Sequence, residues 1–303
     1  MRRTTTHTAK LLLATSALLA TAGVTVTGCG STQPGGNPSK NPQTRARQVA
    51  DAWNGSDAAA QWRHGYYPMG DVTQLPEGGP RDEADEWAYD TGNFDLVGDL
   101  PATPSPPKRA QVTWQNDVSL ALPLLSARQT YRQLDRNSSP RRHLTVTGAV
   151  LGTMPVPTSH GTATVPAWLF TVKGYDTPLE RAAVAPSKLP AAPIAPADDW
   201  PTDVLAPLDG LTSVADDGRS LIVMATHGAC DDGPAVEALQ TTDSVVLAAS
   251  TVGADDGNCT SNLLIKKITV KLDDPVGERI ILDASTGSPV PFSDRPKTSP
   301  TWS

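Results

Sequence analysis

Apolar residues follow a helical period near the start of the chain. The apolar positions from Ala46 to Trp53 recur every three or four residues, which predicts a short amphipathic helix with Thr44 as a candidate N-cap. Ser56 and Asp57 are candidate caps for a second helix that continues through Trp62. The folded part is therefore expected to begin with two short helices.

After Arg109 the pattern changes to alternation of apolar and polar residues, which is typical of half-buried strands. One further helix is predicted from Ser126 to Leu134. The predicted strands are 111–115, 143–151, 162–172, 179–184, 220–226, 236–240, 244–252, 266–272 and 279–283. Short turns join the strands of 143–184, which predicts an antiparallel meander. The expected fold class is α+β and predominantly antiparallel β, with short N-terminal helices followed by β-rich regions.

Residues 185–208 contain six prolines. Proline lacks the N–H that a strand donates to its neighbour, so this segment is predicted to be an extended connector. We place a domain boundary here, between an N-terminal α+β domain at 45–184 and a C-terminal β domain at 209–292, which is followed by a tail at 293–303. A long crossover within a single domain is the alternative interpretation.

Residues 1–28 have the layout of an export signal. Arg2 and Arg3 precede an apolar stretch that begins at Leu11. Threonine, serine and glycine interrupt that stretch, whereas a permanent membrane span needs about 20 mostly apolar residues. We therefore interpret 1–28 as a removable signal peptide.

The apolar stretch ends in Val26, Thr27, Gly28 and Cys29. This run resembles the bacterial lipobox, in which an aliphatic residue, a small residue and Gly or Ala precede a cysteine. The resemblance implies cleavage before Cys29, attachment of diacylglycerol to its thiol, and an extracytoplasmic protein that is anchored to the cell membrane by lipid. An ordinary secretory signal that happens to end near a cysteine is the alternative. Residues 29–44 are rich in Gly, Pro, Ser and Asn, which predicts a flexible tether.

Two further segments, 165–170 and 268–287, resemble exported actinobacterial proteins of unknown function. In the second segment, the turn at 273–277 contains proline and glycine, which predicts a closing hairpin between the last two strands. The resemblance implies a shared β fold in an exported bacterial lipoprotein, and it implies no activity.

Charge and cysteine content fit an exported protein. Removal of residues 1–28 takes away three cations and no acids, so the net charge falls from −7 to −10. Such an acidic chain disfavours nucleic acid as a partner and leaves membrane attachment to the lipid. Cys230 and Cys259 are the only cysteines besides Cys29, and in an oxidising compartment they are predicted to form a disulfide. Two free thiols are the alternative.

Candidate chemistry is sparse. Asp231, Asp232, Asp255 and Asp256 flank the predicted disulfide, and oxygen-rich loops of this kind bind calcium. Asp-Gly turns at strand ends are the simpler interpretation, so no metal site and no cofactor is assigned. Gly-x-Ser-x-Gly is absent, and the adjacent pair Ser159-His160 is interpreted as a hairpin turn. No catalytic residue is assigned.

Aromatic residues crowd the N-terminal region. Trp53 and Trp62 are interpreted as the core-facing residues of the first two helices. Tyr66, Tyr67 and Trp87 remain as exposed candidates for ligand binding, as a platform for a sugar or for the apolar surface of a partner. The expected function is a non-catalytic binding or envelope-interaction module whose partner is an envelope protein or glycan. The alternatives are a cell-wall-directed hydrolase and a structural envelope protein without a small ligand.

Overall fold

A computed structural model describes residues 41–102, 108–115, 118–136, 139–198, 204–253 and 262–293. The predicted signal peptide, Cys29, Cys259, residues 29–40 of the predicted tether and residues 294–303 of the predicted tail lie outside the described residues. The tether prediction is wrong for residues 42–44, which form the first turn of a helix. The lipidation, the rest of the tether and the disulfide stay predictions.

The described residues contain four helices and thirteen strands. The helices are α1 Pro42–Trp53, α2 Asp57–Arg63, α3 Glu83–Thr91 and α4 Ala127–Leu134. The strands are β1 Thr73–Gln74, β2 Phe94–Leu96, β3 Arg109–Trp114, β4 Ser119–Pro123, β5 Leu144–Thr158, β6 Gly161–Val172, β7 Leu179–Ala182, β8 Leu208–Val214, β9 Ser220–Gly228, β10 Gly233–Gln240, β11 Ser244–Val252, β12 Leu263–Lys271 and β13 Ile280–Asp283. The fold is mostly β, so the α+β expectation gave the helices too much weight. None of the described helices is long and apolar enough to cross a membrane.

Local capping sets the start of both N-terminal helices. Asn41 caps α1 by accepting a hydrogen bond from the N–H of Gln43 at 2.8 Å. Pro42 follows at the first helical position, where its missing N–H removes no helical bond. The predicted cap Thr44 is wrong, because it lies inside the helix. Ser56 caps α2 as predicted.

Seven strands form one sheet that is built around the long β5–β6 hairpin. The second edge of β6 pairs with β7 over one half and with β3 over the other. β1 continues the sheet beyond β7, β4 continues it beyond β3, and β2 runs parallel to β5. The predicted antiparallel meander of β5, β6 and β7 is confirmed. Helices α3 and α4 share a core with β5, β6 and β7, so they cover one face of this sheet.

The last six strands form two three-stranded sheets, β10-β11-β13 and β12-β9-β8. The central strand β11 is apolar on both faces, as a strand covered on both sides must be. Val245 and Leu247 belong to the core between the two sheets. Val246 and Ala248 belong to a second core against α1 and α2. The side chains of a strand alternate between faces, so one apolar run joins three layers.

The predicted closing hairpin is wrong. β12 pairs with β9 in antiparallel fashion, whereas β13 lies parallel to β11 in the other sheet. The segment 273–277 therefore carries the chain from one sheet to the other. All four residues of β13 are buried, whereas Val270 is the one buried residue of β12. Burial of Ile280–Asp283 on both faces is available beside β11 and not at the outer edge of β12.

The predicted domain boundary lies between segments that share a core. Helices α1 and α2 come from the predicted N-terminal domain, yet they pack on β11 and β13. Arg45 of α1 donates a hydrogen bond to the carbonyl of Ala284 at 3.0 Å. The described residues all belong to one compact unit. Independent folding of 45–184 and 209–292 stays a prediction.

Candidate functional site

An open cleft of about 720 Å³ lies beside β1 and β7, next to helices α3 and α4. It is larger than the clefts of about 460 and 380 Å³ elsewhere in the described residues. Strands β1 and β7 are only two and four residues long, so this edge of the sheet is short. The polar residues that matter most along its wall are Thr73, Glu86, Tyr89, Gln133, Arg136 and Arg181.

Arg181 points toward the helix-covered face of the sheet. Side chains alternate along β7, so Arg181 shares its face with Leu179, a fully buried residue of the core under α3 and α4. Trp168, its cross-strand neighbour on β6, belongs to the same core. Arg181 thus lies where the core reaches the edge of the sheet, and its positively charged side chain lines the cleft.

Two hydrogen bonds hold the Arg181 guanidinium. Its Nη1 donates to Oγ1 of Thr73, the residue directly opposite on β1. Its Nε donates to Oε1 of Gln133 on α4 at 3.3 Å. Guanidinium carries five N–H donors, so three are left without a described partner. Arg181 is half-buried, and no carboxylate of the described residues forms an ion pair with it.

Arg181 remains a cation at neutral pH. Burial and, to a smaller extent, the nearby positive charge of Arg136 lower its pKa to about 10. The phenol of Tyr89 has the opposite, smaller effect. The guanidinium is therefore protonated in a place that gives it little water and a like-charged neighbour. Hydrogen-bond acceptors from a ligand would therefore stabilise this guanidinium.

A glycine brings Arg136 to the cleft. Gly92 ends α3 in the left-handed region with φ 69, and its carbonyl accepts the N–H of Arg136 at 2.8 Å. A Cβ at Gly92 would lie 2.6 Å from the carbonyl oxygen of Leu134. Only glycine satisfies both conditions, so it lets the ends of α3 and α4 meet. Arg136 follows α4 directly and lines the cleft.

Helix α3 adds carboxylates to the same cleft. Glu86 and Asp90 are four residues apart, which places them on one helix face, and both line the cavity. The cavity is therefore not uniformly basic. It is lined by guanidinium groups from β7 and from the segment after α4, and by carboxylates from α3 and from Asp71.

A buried carboxylate fixes the orientation of α3. The Asp85 side chain is fully buried and lies 2.7 Å from Arg81 Nε and 2.8 Å from Arg142 Nε. The Tyr175 hydroxyl donates to it at 2.8 Å. Burial works to raise the pKa of Asp85, but the bonds from Arg81 and Tyr175 and the charge of Arg142 hold it below its usual value. Asp85 therefore ties α3 to the sheet while Glu86 faces the cleft.

The predicted ligand residues Tyr66 and Tyr67 are fully buried, so their expected exposure is wrong. Tyr66 lies in a core of the first sheet, where burial raises the pKa of its phenol. The Tyr67 ring stacks on Trp62 with centroids 4.1 Å apart, and its hydroxyl donates to the carbonyl of Lys188 at 3.1 Å. Because these contacts bury both tyrosine side chains, a ligand cannot reach them.

Trp87 is half-buried on α3, and its ring faces the guanidinium of Arg141 at 5.0 Å. It is not among the residues that line the large cleft. Tyr89, two residues further along the same helix, does line it. The predicted aromatic region thus contributes to the cleft through Tyr89 rather than through Trp87, Tyr66 or Tyr67.

Ser159 and His160 form the turn between β5 and β6, as predicted. The Nε2 atom of His160 lies 2.9 Å from the carbonyl oxygen of Trp62. Burial lowers the pKa of His160, which favours a neutral ring that donates through Nε2. His160 thus joins the hairpin to α2, and it is not arranged to activate Ser159.

His227 forms an imidazole–carboxylate pair that sequence reasoning missed. It lies near the end of β9, and its Nδ1 is 2.8 Å from Oδ1 of Asp231. Asp231 also accepts the backbone N–H groups of Gly228 and Gly233. The carboxylate therefore organises the β9–β10 turn. The spacing of four residues across an Asp-Gly-rich turn was the available signal.

The predicted disulfide and calcium loop fall partly outside the described residues. Cys230 lies in the β9–β10 turn, whereas Cys259, Asp255 and Asp256 are not described. Within the described ranges, no group of three or more metal-ligating side chains comes together. Asp231 is already engaged by its three partners in the turn. The disulfide and the calcium site stay predictions.

Comparisons of the chain with protein families, curated proteins and solved structures gave no match. The functional inference therefore depends on the residues of this chain.

Proposed function

We propose that this protein is a lipid-anchored, extracytoplasmic binding protein whose ligand occupies the cleft at Arg181. The observation that carries the proposal is the half-buried guanidinium, which is held by Thr73 and Gln133 and keeps three donors without a described partner. A ligand that supplies acceptors replaces lost hydration there. The cleft volume of about 720 Å³ suits a small molecule or one end of a larger one.

The predicted anchor at Cys29 gives the cleft its location. Residues 29–40 are the part of the predicted tether that precedes the cap of α1, and a flexible chain of about 12 residues spans roughly 20 Å. The cleft would then work within a few tens of ångströms of the membrane, where envelope glycans and proteins are the available partners. Binding without chemical change is the proposed role.

The two alternative functions make different predictions. A cell-wall-directed hydrolase would convert its substrate, and the His227–Asp231 pair is the observation in its favour. A structural envelope protein would leave the cleft empty. Each is therefore an outcome of the same binding experiment.

The experiment uses the full chain purified from membranes in an uncharged detergent. Soluble fragments of purified cell envelope are passed over the immobilised protein, and retained fragments are identified by mass spectrometry. Thr73→Trp, which fills the cleft and removes the Arg181 contact, should lose at least ten-fold in retention. Thr153→Trp is the matched control, because Thr153 is exposed on β5 outside the cleft.

Equal retention by wild type and Thr73→Trp would remove the cleft from the proposal. Shortened fragments after incubation would favour the hydrolase, and no retained fragment would favour the structural role. Retention of intact fragments that depends on Thr73 is the expected result.

The anchor has its own test. Cys29→Ser should leave the protein unprocessed or released from membranes, whereas Cys230→Ser should stay membrane-bound because it retains Cys29. Detergent phase partitioning and the mass of the N-terminal peptide check both. Unchanged processing and retention of Cys29→Ser would contradict lipidation. Thiol alkylation of the unreduced protein tests the Cys230–Cys259 bond, since two protected thiols are expected.

A further inference from the structure

Two guanidinium groups share the cleft, and neither forms an ion pair with any carboxylate of the described residues. Arg63, Arg81 and Arg142 form ion pairs, and the other arginines of the described residues do not. Arg136 and Arg181 differ from those other arginines because both line this one cleft.

The Arg181 group is arranged in advance for a ligand. Thr73 and Gln133 immobilise its guanidinium from two elements, β1 and α4. An immobilised guanidinium loses little further side-chain entropy when it binds. Its remaining donors form a planar edge that matches the two oxygens of a carboxylate or phosphate group.

We propose that the ligand of this cleft carries a compact anionic oxygen group, a carboxylate or a phosphate, that binds to Arg181 and Arg136 together. The proposal depends on the binding function proposed above and names the chemistry of its ligand. The anionic group removes the repulsion between the two guanidinium groups and takes up donors that the described chain leaves open.

Glu86 and Asp90 narrow the choice of ligand. Both line the same cleft, and their carboxylates carry negative charge. These carboxylates would repel a run of phosphates more strongly than a ligand with one compact anionic group. A polyanion such as nucleic acid or an anionic lipid surface is therefore disfavoured as the occupant.

The test is isothermal titration of the full chain in uncharged detergent at constant ionic strength. Sodium acetate supplies a carboxylate, inorganic phosphate supplies a phosphate, and sodium chloride is the control anion. At least one of the two oxygen anions should bind with a millimolar Kd, and chloride should not compete at equal concentration. The anion with the lower Kd, acetate or phosphate, shows whether the ligand's anionic group is a carboxylate or a phosphate.

Four variants make the result specific. Arg181→Gln should raise the Kd by at least ten-fold, and Arg136→Gln by about three-fold or more. Arg132→Gln should leave it unchanged, because Arg132 is exposed on α4 and does not line the cleft. Glu86→Gln should lower the Kd for phosphate two- to five-fold, since it removes a repelling charge. A gain of affinity cannot result from misfolding.

Several outcomes would overturn the proposal: no binding of either oxygen anion, equal competition by chloride, or an unchanged Kd in Arg181→Gln. If Arg181→Gln does not fold by circular dichroism, Arg136→Gln and Glu86→Gln still decide the matter. Envelope fragments that are lost from Thr73→Trp but retained by Arg181→Gln would refute the anionic ligand and leave the binding function intact. If neither variant loses fragments, the cleft is not the binding site, and the proposed function fails at that point.

Discussion

Replacing Asp283 with asparagine should change how the stability of the protein depends on pH. Asp283 ends β13 with 3% of its surface exposed. One carboxylate oxygen accepts the N–H of Leu208 at 3.0 Å, and the other accepts the N–H of Ser285 at 2.7 Å. Burial raises the pKa of Asp283 to about 6 in spite of these bonds.

The sign follows from which state holds the proton more tightly. The folded protein does, because the pKa rises from 3.8 to about 6 on folding. The contribution of Asp283 to stability is therefore complete below the unfolded pKa and is lost as the pH rises through the folded pKa. The full loss is about 3 kcal/mol, since a tenfold change in proton affinity equals about 1.4 kcal/mol. Between about pH 8 and about pH 5, roughly 1.4 kcal/mol should be regained.

Urea unfolding of wild type and Asp283→Asn across this pH range measures the effect. The neutral asparagine cannot titrate, so the free energy of unfolding of wild type minus that of the variant should rise by about 1.4 kcal/mol on acidification. Asp51→Asn is the control, because Asp51 is exposed on α1 and its replacement should give no such slope. A difference between wild type and Asp283→Asn that stays constant with pH would refute the reasoning.

Two further predictions concern buried polar contacts. Asp85→Ala should lower the free energy of unfolding by about 3 kcal/mol, the low end for a broken buried ion pair, because Arg81 is 42% exposed and regains water. Urea unfolding checks this against Glu83→Ala, an exposed position on the same helix, and equal midpoints would contradict it. Trp53→Phe should lower stability by about 1–3 kcal/mol, because the buried carbonyl of Gly287 loses its donor at 2.8 Å. A thermal midpoint equal to that of wild type would count against that assignment.

Local patterns predicted the elements whose buried face is apolar. The stripe from Ala46 to Trp53 became α1, and the alternation at 162–172 became β6. Ser126 caps α4 as the predicted start of that helix required. In each case the segment's own sequence is enough for the prediction, because the spacing of its apolar residues indicates both its type and its buried face.

Helix α3 was missed because its buried face is not apolar. No helix is predicted between Trp62 and Ser126, yet Glu83–Thr91 is helical and its fully buried positions are Asp85 and Ala88. The available signal was the cap, since the Asp82 side chain accepts the N–H of Asp85 at 2.8 Å. The same departure from an apolar stripe places Glu86 and Asp90 at the cleft, so the helix that the pattern missed contributes to the candidate site.

The sequence by itself determined the faces and approximate bounds of most helices and strands, because those depend on side chains close together in the chain. The tertiary structure alone decided which strands are neighbours. β13 lies beside β11 rather than β12, because only that position buries Ile280–Asp283 on both faces. It also decided the candidate site. In the sequence, Arg181 is indistinguishable from other polar residues of an alternating strand. The tertiary structure places Gln133 and Thr73, which are distant along the chain, around its half-buried guanidinium.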